Sequence, residues 1–231
     1  MLTANSEAGL KAHIDLGARP KSQRVIANGI DTQRFRPDPV TREKIRRDLG
    51  IASDAVLIAH VARVDPMKDH SMFLAAMRLV PGARAILIGR GTEALLDLPP
   101  NVLALGQRDD VPALLAAADI IASSSAYGEG FSNALAEGMA AGLPAVATDA
   151  GDAGLILGDT GALCPPGDPQ ALAAQLKTLL DEPDARFRAR AAAARKRIEE
   201  NFSLARAVVE FTCAYRALLG LARLDHTGTA P

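Results

Sequence analysis

AVLIAHVARVDPMKDHSMFLAAMRLV (residues 55–80) changes its hydrophobic period halfway along. Its first part, AVLIAHVAR (55–63), is a nearly continuous apolar run with a polar end. Its second part, DHSMFLAAMRLV (69–80), repeats its apolar residues at helical spacing. A strand without polar alternation is buried on both faces, which is typical of parallel sheets with crossover helices. The stretch therefore predicts one strand–helix unit of an α/β domain.

The same alternation continues on the carboxyl side of this stretch. The predicted strands are ARAILIG (83–89), NVLALG (101–106), DIIAS (119–123), LPAVATD (143–149) and GALCPP (161–166). The predicted helices are DVPALLAAA (110–118), FSNALAEGMAAG (131–142) and DPQALAAQLKTLL (168–180), the last with Asp168 as N-cap. This order predicts a Rossmann-like, doubly wound parallel sheet of about six strands. Ligands of such sheets bind outside the carboxyl ends of the strands.

The two ends of the chain have other patterns. LTAN (2–5) reads as a strand that runs into a helix, and helices are predicted over 185–200 and 203–223. The last helix is apolar around much of its circumference, so we expect it to pack against two partners, of which this chain contains one. The tail DHTGTAP (225–231) is expected to be frayed.

Composition restricts the class of protein. The chain has 231 residues and a net charge of −1, which gives no general attraction to nucleic acid or to an anionic membrane. Cys164 and Cys213 are too few for a disulfide framework and have no zinc spacing, which fits a reducing compartment. No stretch reaches the ~18 apolar residues of a membrane-spanning helix. We expect a cytoplasmic protein with at most peripheral contact at the inner face of the membrane.

Two cations follow the strand at 55–62. Arg63 and Lys68, the latter at the start of the next helix, could form an anion site together with the helix dipole. Taken alone, they could equally be surface residues of a loop. The chain has neither a G-x-G-x-x-G after this strand nor a G-x-x-x-x-G-K-[ST] motif, so side chains and helix ends would have to bind the phosphates.

EGFSNALAE (129–137) follows the strand at 119–123 and carries two glutamates. Gly128 and Gly130 flank Glu129, where they permit close approach to a ligand and positive φ. The N–H groups of residues 131–133 are expected to begin a helix and to face the cleft. Glu137 lies six residues after Phe131, which is about 9 Å along the helix axis at 1.5 Å per residue. This spacing excludes a two-carboxylate dyad on one atom and suits two hydroxyl-bearing parts of a nucleotide sugar.

Each glutamate also has an ordinary interpretation. Glu129 could cap the helix, and Glu137 could be an exposed helical residue. The four histidines (13, 60, 70 and 226) show no metal-ligand spacing, and His60, inside a strand, is expected to be a core or near-site residue. No Ser-His-Asp or Cys-His pattern is present.

Four segments together resemble the retaining glycosyltransferases of family 4, which have the GT-B fold. They are VIANGIDTQRFRPD (25–38), VARVDPMKDHSMFL (61–74), LGQRDDVPALLAAADIIASSS (105–125) and YGEGFSNALAEGMAAGLPAVATDAGD (127–152). The resemblance extends from about residue 3 to about residue 220. It implies transfer of a sugar from a nucleoside diphosphate to a saccharide or lipid-linked saccharide, with retention of configuration, in exopolysaccharide, lipopolysaccharide or other glycoconjugate assembly.

The resemblance also implies a role for individual residues. Arg63 and Lys68 would hold the donor diphosphate and stabilise the leaving nucleotide. Glu129 would contact the hydroxyls of the transferred sugar, and Glu137 the ribose. The remaining donor-binding residues would be Gly130, Phe131, Ser132 and Asn133, whose amides meet sugar and phosphate, and Arg108 to Val111, which line the nucleobase slot. The family requires no divalent metal or other cofactor.

The resemblance implies a division of the chain. Residues 1–24 would lead out of an N-terminal acceptor domain that is missing here, 25–202 would be the donor-binding domain, and 203–231 a cross-over helix and tail. One alternative is a non-catalytic or split nucleotide-sugar-binding subunit that needs a separate acceptor-domain partner. Another is an epimerase or a phosphorylase on the same fold, although nothing marks the pyridoxal-phosphate lysine of a phosphorylase.

Overall fold

The structure is a computed structural model, and it describes residues 1–221. The predicted frayed tail at 225–231 lies outside the described residues. The strands are β1 (Leu2–Ala4), β2 (Gln23–Val25), β3 (Val56–Val61), β4 (Ala83–Ile88), β5 (Val102–Ala104), β6 (Ile120–Ser123), β7 (Ala145–Thr148) and β8 (Ala162–Cys164). The helices are α1 (Glu7–Asp15), α2 (Pro39–Asp48), α3 (His70–Arg78), α4 (Val111–Ala117), α5 (Asn133–Ala140), α6 (Ala153–Leu157), α7 (Pro169–Leu180), α8 (Asp184–Asn201) and α9 (Leu204–Leu218).

Six strands form one parallel sheet in the order β5-β4-β3-β6-β7-β8. The strand order runs outward in both directions from the β3–β6 pair, so the topological switch point lies between these two strands. This architecture confirms the predicted doubly wound parallel sheet of about six strands.

Both faces of the sheet are buried. Leu57 and Ala59 of β3 belong to a core cluster that includes residues of α4, α5 and α8. Ile58, between them, belongs to the opposite cluster with residues of α3 and α7. Because successive side chains of a strand point to opposite faces, two apolar layers require an apolar residue at every position. This is why AVLIAHVAR shows no alternation.

The start of the chain forms a small sheet of its own. β1 and β2 pair in parallel, with α1 between them in the sequence. The predicted boundary between residues 24 and 25 falls inside β2. The buried carboxylate of Asp152 accepts hydrogen bonds from the backbone N–H groups of Glu7 (2.8 Å) and Ala8 (3.0 Å), and so joins the first turn of α1 to the large domain.

The last two helices differ in what they cover. α8 packs on α5, and Arg195 of α8 donates to the carbonyl of Ala140 at the carboxyl end of α5. In α9 the buried residues are Ala207 and Ala214. Its large apolar side chains, and those just after it, are exposed: Leu204, Val208, Phe211, Tyr215, Leu218, Leu219 and Leu221. Within the described residues, no helix is long and apolar enough to cross a membrane.

Candidate active site

The carboxyl ends of β3 and β6 meet at the switch point, and the segments that follow them form the candidate site. After β3 the chain continues through Arg63 to a short 3-10 helix, Pro66–Lys68. Lys68 therefore lies in this separate turn, ahead of α3, and not in the first turn of the next helix as predicted. The carboxylate of Asp65 caps the 3-10 helix by accepting from the N–H of Met67 at 3.0 Å.

Lys68 and Glu129 are in direct contact across the switch point. The Nζ atom of Lys68 donates to Oε2 of Glu129, and their side chains are only 17% and 9% exposed. Ser125 Oγ donates to the same carboxylate oxygen at 2.6 Å. Charged hydrogen bonds are stronger when water is largely excluded, so this pair is firmly held. The sequence predicted both charged residues but neither their contact nor the part played by Ser125.

Arg63 lies apart from this pair. Its side chain is 51% exposed and donates to Asp65 Oδ2 at 3.0 Å. The N–H of Met67 and the guanidinium of Arg63 lower the pKa of the Asp65 carboxyl group. Within residues 1–221, the ion pairs of the site therefore join Arg63 to Asp65 and Lys68 to Glu129. Arg63 is available at the mouth of the cleft, whereas Lys68 lies inside it.

The loop that carries Glu129 passes close to two other backbone segments. Gly128 adopts φ +67°, and a Cβ atom there would lie 2.9 Å from Met67 Sδ. Gly151, after β7, adopts φ +59°, and its Cβ would lie 1.8 Å from the carbonyl oxygen of Glu129. Only glycine fits such an approach. Gly128 thus uses the conformational freedom of glycine, whereas Gly130 is not among the residues with positive φ.

The start of α5 differs from the prediction. The helix begins at Asn133, with Ser132 as N-cap, so Phe131 is not helical. The Phe131 side chain is buried and its ring packs against that of Phe202, with centroids 5.3 Å apart. Glycines on both sides of Glu129 make the loop longer than the apolar pattern of residues 131–142 suggests. The free amides therefore belong to the first turn from Asn133 onward.

Asn133 is the exposed polar residue at this helix start. Its Oδ1 accepts from Nδ2 of Asn28 at 2.9 Å. The amide group of Asn133 therefore keeps its own N–H donors for a ligand. Asn28 belongs to the segment 25–38, and nothing in a single sequence places that segment beside α5.

Glu137 lies one helical turn after Asn133, on the same side of α5. Burial raises the pKa of its carboxyl group to about 7, and the nearby charge of Arg34 opposes this rise. Within the described residues the Glu137 carboxylate has no hydrogen-bond or ion-pair partner. A partly buried carboxylate without a partner on a cleft-side helix is available to accept hydrogen bonds from a ligand.

The predicted nucleobase segment lies further along the same edge of the sheet. It follows β5, the edge strand, which is separated from β3 by β4. Arg108 forms a two-bond ion pair with Asp110 at 2.8 and 2.6 Å, and this pair raises the pKa of the Arg108 guanidinium. Val111 is the first residue of α4. Among the described residues, no hydrogen bond or ion pair joins this segment to Lys68 or Glu129.

Among residues 1–221, no group of three or more His, Cys, Asp or Glu side chains is arranged to hold a metal ion. The charges that face the cleft are the side chains described above. They suit an elongated anion that carries hydroxyl groups at both ends.

The sequence profile described as "Glycosyl transferases group 1" matches residues 55–182, which is more than half of the chain. The chain belongs to the group 1 glycosyl transferases. The matched part runs from β3 to the end of α7 and contains every predicted site residue. The fold is therefore that of this glycosyl transferase family.

Several relatives of this glycosyl transferase are known. It is 33% identical over 229 residues to D-inositol 3-phosphate glycosyltransferase from Kineococcus radiotolerans, with 84% of this chain and 52% of the relative covered. The chain spans about half the length of the curated relatives it matches.

The chain also superposes on solved structures of glycosyltransferases. HepE from Anabaena, determined in complex with UDP-glucose, superposes with a TM-score of 0.83 at 29% identity, covering 96% of this chain and 64% of HepE. The C-terminal domain of the group 1 glycosyl transferase LpcC from Francisella tularensis superposes with a TM-score of 0.64 at 26% identity, covering 76% of this chain and all of that domain. The described glycosyl transferase chain thus corresponds to a C-terminal domain of the GT-B fold.

Proposed function

We propose that this chain is the donor-binding part of a glycosyltransferase that transfers a hexosyl unit from a nucleoside-diphosphate sugar with retention of anomeric configuration. The observation that carries the proposal is the contact between Lys68 and Glu129 at the switch point, where Ser125 also meets the carboxylate. A largely buried cation beside a carboxylate with a free oxygen suits a phosphate next to a sugar hydroxyl. HepE, which is similar over most of this chain, was determined with UDP-glucose.

The proposed reaction needs positive charge where the leaving diphosphate develops negative charge. Lys68 supplies it from inside the cleft, Arg63 from its mouth, and the amides at the start of α5 add hydrogen-bond donors. The bond between the sugar's anomeric carbon and the diphosphate oxygen breaks, and the electron pair leaves with the phosphate. The acceptor oxygen bonds to the same face of the anomeric carbon, which retains the configuration, and the acceptor's hydroxyl proton passes to the departing phosphate oxygen. Glu129 orients the sugar through its hydroxyls.

The remaining residues would bind the nucleoside. Glu137 accepts hydrogen bonds from the ribose hydroxyls, and the segment from Arg108 to Val111 borders the base. Gly130 to Asn133 lie between the two glutamates and meet the sugar and phosphates. We propose a saccharide or lipid-linked saccharide as acceptor, glycoconjugate assembly as the process, and the cytoplasmic side of the membrane as the location.

We also propose that donor binding needs no divalent metal, because Lys68, Arg63 and the α5 amides can neutralise the diphosphate. We expect the affinity for UDP, measured by calorimetry, to be the same in excess EDTA as in excess Mg²⁺. A loss of affinity of about tenfold or more in EDTA, equivalent to about 1.4 kcal/mol, would contradict this part of the proposal.

Calorimetric titration of the purified chain with UDP, GDP and ADP tests the proposed function. We expect binding of at least one of them, and about tenfold or greater weakening by Lys68→Ala, since charged hydrogen bonds contribute about 1.5–3 kcal/mol. Lys44→Ala is the matched control, because Lys44 forms an exposed ion pair with Asp48 on α2. A folded chain that binds none of the three nucleotides would overturn the proposal.

A further inference from the structure

The turn that presents Lys68 is held by the segment after β6. The carbonyl of Met67 accepts from the N–H of Ala126 at 2.8 Å. The next two carbonyls, of Lys68 and Asp69, accept from the Oγ of Ser124 at 2.7 and 3.1 Å. Three successive carbonyls are thus fixed by residues 124–126, on the other side of the switch point.

The turn needs such support because its backbone is strained. Asp69 adopts φ 41° and ψ 61°, a left-handed conformation that is unfavourable for a residue other than glycine. Its carboxylate also caps α3 by accepting from the N–H of Met72 at 3.0 Å. Asp69 thus connects the Lys68 turn to α3, and the backbone conformation at this junction sets where the Lys68 side chain begins.

Ser124 is itself oriented by a buried histidine. Nε2 of His60, on β3, lies 3.0 Å from Ser124 Oγ. The imidazole ring packs against His70 and Phe73 of α3, with centroids 4.9 and 4.5 Å away, and is almost fully buried. The hydroxyl of Ser124 has a single hydrogen, which points to the carbonyls of Lys68 and Asp69. The histidine must therefore donate, and its neutral form carries the proton on Nε2.

We propose that Ser124 and His60 are positioning residues of the donor site, which fix the Lys68 turn so that the Lys68 ammonium meets the donor's diphosphate. This inference rests on the proposed function, in which Lys68 binds the diphosphate. His60 lies on β3 and Ser124 directly follows β6, the two strands that flank the switch point. Both side chains are almost fully buried, so neither is available to a ligand.

Two ligands distinguish positioning from a general structural role. UDP contains the diphosphate, whereas uridine lacks it and makes no use of Lys68. We expect Ser124→Ala and His60→Phe to weaken UDP binding about three- to tenfold, the range for one lost hydrogen bond, and to change uridine binding less than about twofold. His60→Phe keeps an aromatic ring. His60→Gln places an amide donor near the position of Nε2 and should restore most of the UDP affinity.

Thr160→Val is the matched control. Thr160 Oγ1 donates to the carbonyl of Leu157 at 2.8 Å, a bond of the same type away from the candidate site. We expect this variant to bind UDP as the unmodified chain does. Equal weakening of UDP and uridine by Ser124→Ala would reduce Ser124 to a structural role and overturn the proposal. Unchanged UDP affinity in Ser124→Ala would overturn it as well.

Nitrogen chemical shifts of the unmodified chain provide a test without any ligand. In a ¹⁵N-labelled sample at neutral pH, His60 should show a protonated Nε2 and an unprotonated Nδ1. Protonation of Nδ1 instead of Nε2 would overturn the proposal that His60 donates to Ser124. If the unmodified chain binds none of UDP, GDP and ADP, the proposed function fails. The His60 tautomer still tests separately whether His60 donates a hydrogen bond to Ser124.

Discussion

Glu129 and Glu137 lie eight positions apart and have different environments. Glu129 is paired with Lys68 and accepts from Ser125, whereas Glu137 is partly buried without a partner among the described residues. A carboxylate that is already held by a cation can orient a neighbouring sugar. A carboxylate that lacks partners gains most from hydrogen bonds that arrive with a ligand. The two environments therefore favour different tasks.

This difference predicts a separation in nucleotide affinity. Glu137→Gln should weaken UDP binding about tenfold or more, since a charged hydrogen bond contributes about 1.5–3 kcal/mol. Glu129→Gln should change UDP binding less than about threefold, because UDP has no transferred sugar. Calorimetry on both variants measures this. Equal loss in the two variants would contradict the division of roles.

Glu137 also predicts a pH-dependent change in stability. Its pKa is about 7 in the folded protein instead of its ordinary value of 4.5, so the folded protein keeps a proton that the unfolded chain has released. The free energy of unfolding therefore falls as pH rises from about 4.5 to about 7, and stays low above that. Glu137→Gln removes this loss. After allowance for partial exposure, we expect the variant to be about 1–2 kcal/mol more stable at pH 8.

Urea denaturation at pH 4.5 and pH 8 measures the effect. At pH 4.5 the two proteins should have nearly the same stability, because Glu137 is then protonated in the folded state. A constant difference at both pH values would show that packing, and not ionisation, separates them. At pH 8 the Glu137→Gln variant should thus be more stable and bind nucleotide less tightly. Such a trade-off is typical of residues selected for function.

At the scale of elements, α2 is fixed to the sheet by one ion-pair network. Asp119, just before β6, accepts from Arg42 and Arg46 at 2.6 Å each, and from the N–H of Leu57 at 2.7 Å. Burial lowers the pKa of the Arg46 guanidinium, and the Asp119 charge opposes this. The network lies at the amino ends of the strands, on the edge of the sheet opposite the candidate site.

Asp119→Ala should therefore lower stability without lowering nucleotide affinity. Removing one partner of a buried ion pair leaves an uncompensated charge and costs about 3–5 kcal/mol. Asp48→Ala, which removes the partner of an exposed pair with Lys44, should cost less than about 1 kcal/mol. Denaturant midpoints measure both values, and a UDP titration at low temperature checks the site. A large affinity loss in folded Asp119→Ala would indicate coupling between the two edges.

The sequence predicted the elements better than the contacts between them. Nearly continuous apolar runs located β3 and β4, because burial on both faces leaves a local signature. Asp168 was predicted as N-cap of α7, and its carboxylate does accept from the N–H of Ala171. The predicted start of α5 at residue 131 was wrong, because glycine and serine add nothing to the hydrophobic pattern that locates a helix. Long-range pairs such as Lys68–Glu129 and Asp152–Ala8 leave no local pattern, since they depend on how separate loops meet.

At the scale of the whole molecule, the described site residues lie at the carboxyl ends of the strands of a single sheet. Lys68, Glu129 and Glu137 all belong to this domain, and the chain spans about half the length of its relatives. The relatives therefore contain a further, domain-sized region of about the same length. The exposed apolar side chains of α9 would suit contact with such a domain. The described residues thus supply groups proposed for the donor, and none of them is assigned to the acceptor.

This asymmetry predicts binding without turnover. The chain on its own should bind UDP, but should release UDP from UDP-glucose more slowly than about 0.01 s⁻¹, compared with the 1–10³ s⁻¹ typical of enzymes. The reason is that none of the described residues is assigned to orient an acceptor or to exclude water from the reacting groups. A coupled assay for free UDP measures the rate, with Lys68→Ala as background. Release near about 1 s⁻¹ above that background would mean that this domain alone assembles the reacting groups.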